Sequence, residues 1–95
     1  MAVSKIERSV HISPPQRITL PYTTPSDGFV YIQIGASNPS AYSFVTLKAN
    51  GIAFGATTAP NGVDSAFVMP VQKGAQITQE DSYNTRYLNF YFISL

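Results

Sequence analysis

"VTLKANGIAFGA", Val45 to Ala56, decides the fold. At its centre, Asn50-Gly51 favours a two-residue hairpin turn, because both residue types tolerate positive φ. A turn of that length fixes the register. Ala49 then faces Ile52, Leu47 faces Phe54 and Val45 faces Ala56, all on one apolar face. Thr46, Lys48, Ala53 and Gly55 share the opposite face, where they meet water. Turn chemistry and hydrophobic alternation agree, so an antiparallel pair with one buried face is expected.

Reading upstream, "FVYIQIG" (29–35) puts Val30, Ile32 and Ile34 on one face and Phe29, Tyr31 and Gln33 on the other. Asp27-Gly28 starts that strand after a turn-rich connector, "PYTTPSDG". Short strands are expected at Arg17–Leu20 and near Arg8–Ile12. "SPPQ" parts them, because two prolines remove two donors. Reading downstream, "TTAPNGVDS" is expected as a loop. "AFVMPV" follows as a strand, with Pro70 marking an edge or a bulge. "QKG" then reads as a turn, "AQIT" as a short strand and "QEDSYNT" as a polar loop. The last strand runs from about Arg86 to Leu95. The result is about eight short strands, with no helical period, no internal repeat and no linker. That pattern predicts a single all-β domain over residues 1–95, a sandwich or barrel.

Composition narrows the function. A chain of 95 residues hides roughly 60–70% of its unfolded surface, which leaves a thin core. With no cysteine, neither disulfides nor thiolate metal sites reinforce it, and association with copies of itself is the remaining source of burial. Net charge is +1 and 12% of residues are charged, with Lys5, Arg8, Arg17, Lys48, Lys73 and Arg86 scattered. No basic stripe is available to displace counterions from phosphate, so no nucleic-acid partner is expected. No apolar run is long enough for membrane insertion. The opening "MAVSKIERSV" lacks the apolar segment of a secretory signal, so no export by that route is expected.

The final strand is apolar on both faces. Leu88, Phe90 and Phe92 point one way and suit a dry core. Tyr87, Asn89, Tyr91, Ile93 and Leu95 point the other way and combine apolar bulk with hydroxyl and amide tips. Such a mixture suits a surface buried against a partner. Two readings follow. The second face packs against a neighbouring subunit, or it is a central strand covered by loops of its own chain.

The run "SDGFVYIQI", the Asn-Gly hairpin, "FVMPVQKGAQIT" and the terminal "RYLNFYFISL" together resemble the trimeric jelly-roll tip domains of bacteriophage tail and head fibres. Those domains are similar to the tumour-necrosis-factor-like fold. The likeness covers most of Asp27–Leu95. "PVQKGAQI" resembles the valine–basic–glycine turn of that family, with Ala75 where an acidic residue often stands. The resemblance implies a jelly-roll β-sandwich forming a homotrimer, with Tyr91, Ile93 and Leu95 towards the threefold axis. It also implies an attachment role in a virion, with a host-surface glycan or protein as partner. No collagen-like or coiled-coil stalk precedes residue 1, so the expectation is a freestanding protein or a tip cut from a longer fibre. The alternative is a standalone, lectin-like carbohydrate-binding β-sandwich.

Nothing in the chain points to catalysis or to a cofactor. His11, the single histidine, lies between Val10 and Ile12 in a strand pattern and has no cluster of partners. Glu80-Asp81 matches no calcium-loop spacing and reads as a solvated loop. "GIAFG" lacks the strand–glycine–helix context of a phosphate loop and is a hairpin arm. Tyr22, Tyr42 and Tyr83 are expected in loops, either anchoring them to the body or stacking on sugar rings.

Overall fold

A computed structural model describes residues 13–58 and 64–95. Among them are eight strands and no helix: β1 (Gln16–Ile18), β2 (Tyr22–Thr23), β3 (Gly28–Ala36), β4 (Ser43–Ala49), β5 (Ile52–Thr58), β6 (Asp64–Val71), β7 (Gln76–Tyr83) and β8 (Thr85–Ser94). They form two four-stranded antiparallel sheets, ordered β1-β8-β3-β6 and β2-β7-β4-β5, in a β-sandwich. No helix among the described residues is long and apolar enough to cross a membrane.

The hairpin has the expected register, with Ala49 opposite Ile52, Leu47 opposite Phe54 and Val45 opposite Ala56. Asn50 and Gly51 adopt φ of 51° and 85°, as a type I′ turn requires. Asn50 also ties the turn to the neighbouring strand. Its amide donates to the Gln76 carbonyl at 3.1 Å, and its Oδ1 accepts from the Gln76 amide at 3.0 Å. A Cβ added at Gly51 would meet nothing within 4 Å, so a substitution there feels the backbone alone. Gly51→Val should lower stability by about 1–2 kcal/mol through its left-handed φ. Thermal unfolding checks this, and an unchanged melting temperature would mean that the turn relaxes without cost.

The core lies between the sheets. From the first come Ile18, Val30, Ile32, Ile34, Val71, Phe90 and Phe92; from the second come Val45, Leu47, Ala56 and Ile77. Period-two alternation explains the selection, since each strand sends every second side chain inward. Three buried hydroxyl residues are satisfied locally. Ser43 and Thr58 share a hydrogen bond of 2.9 Å. Thr24 Oγ1 donates to the Gln72 carbonyl at 2.6 Å and accepts from the Ala75 amide at 2.9 Å, joining the β2–β3 connector to the β6–β7 turn. Among the described residues, no buried side-chain nitrogen or oxygen lacks a partner.

Several segments differ from the sequence reading. "PYTTPSDG" is not only a connector, because Tyr22–Thr23 pairs with Ile77 and Gln76 as β2. β1 begins at Gln16, inside "SPPQ", and ends at Ile18. Of the loop expected over Thr57–Ser65, Thr57 and Thr58 belong to β5 and Asp64 and Ser65 to β6, while the residues between them lie outside the described residues. The largest change is "QEDSYNT", which is strand up to Tyr83 rather than a polar loop. Its partners shift register between Thr46 and Leu47, leaving Glu80 as the extra residue of a bulge. Pro70 does lie on an edge strand, β6. The strand expected near Arg8–Ile12, and His11 within it, lie outside the described residues.

Candidate functional site

β8 is a central strand, hydrogen-bonded to β1 on one side and β3 on the other. Its inward set is Phe90 and Phe92, both buried, with Leu88 packed partly against the core. The outward set is Tyr87, Asn89, Tyr91 and Ile93, all half-buried. Register assembles a broad face around them. Tyr91 lies opposite Tyr31, Ile93 opposite Phe29, and Asn89 opposite Gln33. On the far side of β3, Val68 faces Tyr31 and Pro70 faces Phe29. Val68 is 53% exposed, which is unusual for an aliphatic side chain in the middle of a strand. Leu95 lies one residue beyond β8 and is 60% exposed; its amide donates to the Asp27 carbonyl at 3.1 Å.

Polar contacts hold this face in shape. The Arg17 guanidinium donates to Asn89 Oδ1 at 2.6 Å, and Asn89 Nδ2 donates to Gln33 Oε1 at 3.4 Å. This relay crosses β1, β8 and β3. At the other end, the Tyr87 hydroxyl donates to the Asp64 carboxylate. That bond raises the Tyr87 pKa above the usual tyrosine value, helped by desolvation and the carboxylate's charge, so the phenol stays a donor. Tyr87 reaches Asp64 by lying over Gly35, where any Cβ would collide with its ring. The Tyr31 and Tyr91 rings sit 5.8 Å apart at 59°, an edge-to-face tilt. Beside them is a hollow of about 290 Å³ bounded by Pro15, Tyr31, Gln33, Tyr91 and Ile93.

The formal charges of this face stand at its rims, Arg17 on β1 and Asp64 on β6. Its centre is aromatic, aliphatic and amide. A surface of that composition is suited to burial against another surface.

The remaining candidates fall elsewhere. Tyr22 is in β2, not in a loop, and its ring packs 5.7 Å from that of Phe92. Tyr83 ends β7, and Tyr42 lies just before β4. The fold brings these last two together with Phe44, whose part was not legible in the sequence because its ladder partner, Tyr83, lies far along the chain. Glu80 pairs with Lys48 at 3.5 Å across the bulge. Among the described residues, no three acidic, histidine or cysteine side chains gather to hold a metal. A cleft of about 400 Å³ opens at the sandwich edge, where Leu20, Gln79, Leu88 and Phe90 meet beside the β1–β2 connection. Compared with known proteins, the chain matches no family model, no curated protein and no solved structure.

Proposed function

We propose that this protein is a structural and adhesive domain: a jelly roll that forms a homotrimer and serves as the tip or attachment domain of a virion fibre. The observation that carries the reading is the outer face of β8, β3 and β6. Its uncharged centre of Phe29, Tyr31, Val68, Tyr91 and Ile93 is covered by no described strand. Half-exposed apolar area of that kind on a thin-cored domain is what an interaction surface offers. The strand orders β1-β8-β3-β6 and β2-β7-β4-β5 are those a jelly-roll winding produces. Three copies around an axis would bury Tyr87, Asn89, Tyr91 and Ile93, with Leu95 near its end, and present three identical sets of loops. Weak binding at each copy then becomes useful avidity at a host surface.

Light scattering coupled to size exclusion tests the reading. The expected mass is three times that of the chain at micromolar concentration. A monomeric mass would remove the trimer and leave a standalone carbohydrate-binding sandwich as the reading to pursue.

A further inference from the structure

The second sheet carries a different kind of surface on its own outer side. Phe44 and Tyr83 lie directly opposite each other in the β4–β7 ladder, and both point away from the core. Tyr42 joins them from just before β4. The ring centroids of Tyr42 and Tyr83 are 5.4 Å apart, those of Phe44 and Tyr83 are 5.9 Å apart, and those of Tyr42 and Phe44 are 6.2 Å apart. The planes meet at 41°, 24° and 19°, so the three rings form one aromatic panel in which Phe44 lies near-parallel to both tyrosines. Tyr42 and Tyr83 are each about half exposed, at 51% and 50%.

The panel is held in advance of any ligand. Asn84 has a φ of 55° at the turn between β7 and β8 and clamps the segment that carries Tyr42. Its Nδ2 donates to the carbonyls of Asn38, Ala41 and Tyr42 at 3.0, 3.3 and 3.1 Å, while its Oδ1 accepts from the Asn38 amide at 2.9 Å. A panel fixed in this way loses little freedom on binding, which matters most for a weak ligand.

One step along the same face, Asp81 lies opposite Thr46. Among the described residues its carboxylate accepts one hydrogen bond, from the Ser82 amide at 3.0 Å, and forms no ion pair. The nearby Lys48 is taken by Glu80. An aromatic cluster with two half-exposed rings therefore stands beside an exposed carboxylate with acceptor capacity to spare. A pyranose ring matches that pair. Its C–H face is electropositive and lies on the negative face of an aromatic ring, while its hydroxyls donate to a carboxylate. With Glu80 paired to Lys48, the unbalanced carboxylate of Asp81 disfavours an anionic sugar at the same place.

The geometry points to Tyr42, Phe44 and Tyr83, with Asp81, as a stacking site for a neutral hexopyranose of a cell-surface glycan. The assignment rests on the adhesive role proposed above and names the class of receptor. It uses the sheet opposite the self-association face, so both surfaces work at once.

The test is an NMR titration of the whole chain with methyl glycosides of glucose, galactose and mannose, and with lactose against sialyllactose. At least one neutral probe should shift the amide resonances of Tyr42, Phe44, Asp81 and Tyr83 saturably, with millimolar affinity. Tyr83→Ala should weaken that binding about tenfold or more. Asp81→Asn, which keeps the fold, should weaken it several-fold. Sialyllactose should bind less well than lactose. The assignment is overturned if no neutral probe moves these resonances, if the shifts survive in both Tyr42→Ala and Tyr83→Ala, or if the sialylated probe binds equally well. The mass measured by light scattering is independent of all these outcomes, so loss of the sugar site and loss of the trimer are told apart.

Discussion

Phe92→Ala should lower the midpoint of thermal unfolding by about 12 °C or more. The ring is 3% exposed and packs against Tyr22 across the sandwich, with no solvent beside it to fill the space it leaves. Lost transfer energy and the residual cavity together cost about 3–5 kcal/mol. A domain of this size holds about 5–14 kcal/mol in all, so the loss is a large fraction of its stability. Phe90→Ala makes the useful comparison. Phe90 is also inward and buried, but its ring borders the edge cleft, where water takes up part of the vacated volume. It should therefore cost less than Phe92→Ala. Denaturant unfolding of the two variants measures the order, and a larger loss at Phe90 would place the dry centre of the core nearer the cleft.

Ile93→Lys should have the opposite character: little effect on the fold and a large effect on assembly. Ile93 is half-buried beside Phe29 on the outer face. In a single chain, the lysine stem lies along Phe29 while its ammonium reaches water. In the proposed trimer, three ammonium groups would meet, desolvated and without a carboxylate from β8 to pair them. Breaking buried charge balance of this kind costs several kcal/mol at each site, enough to dissociate a small interface. The variant should elute as a folded monomer with wild-type circular dichroism. A trimer that survives Ile93→Lys would mean that the copies meet through another surface.

Much of this architecture was legible in the residues because one face of each strand is dry. Val30, Ile32 and Ile34 alternate with Phe29, Tyr31 and Gln33 in the order the sheet uses. The two faces of β8 separate by parity in the same way. The hairpin was legible because Asn50-Gly51 fixes both turn and register. β7 was legible only over its first residues, Gln76–Thr78, and the reason is physical. Past Ile77 it runs to the open end of the sandwich, where Gln79 and Ser82 stay exposed although their positions oppose the inward residues Leu47 and Val45. With no dry face there is no alternation to read, and the bulge at Glu80 breaks whatever period remains. β2 is two residues long and has no pattern of its own. The aromatic panel was hidden for another reason. Tyr42 and Tyr83 looked like separate loop residues, and only the β4–β7 pairing makes them neighbours.

The order β1-β8-β3-β6 also governs when this protein becomes whole. Strand β8 fills the gap between β1 and β3, joining Gln16 to Phe92 and Gly28 to Ser94. Such pairings carry a high entropic cost of loop closure, repaid only when the distant segment arrives. The β4–β5 hairpin closes over two residues, so it can form within microseconds, although it is marginal until β7 docks beside it. A chain interrupted before Thr85 would hold the local hairpin but lack Phe90 and Phe92 of the core, with β3 left as an open template for any other strand. The protein is therefore quick to begin folding and slow to finish. β8 completes both the dry interior and the outer face, so that face exists only once β8 is paired between β1 and β3.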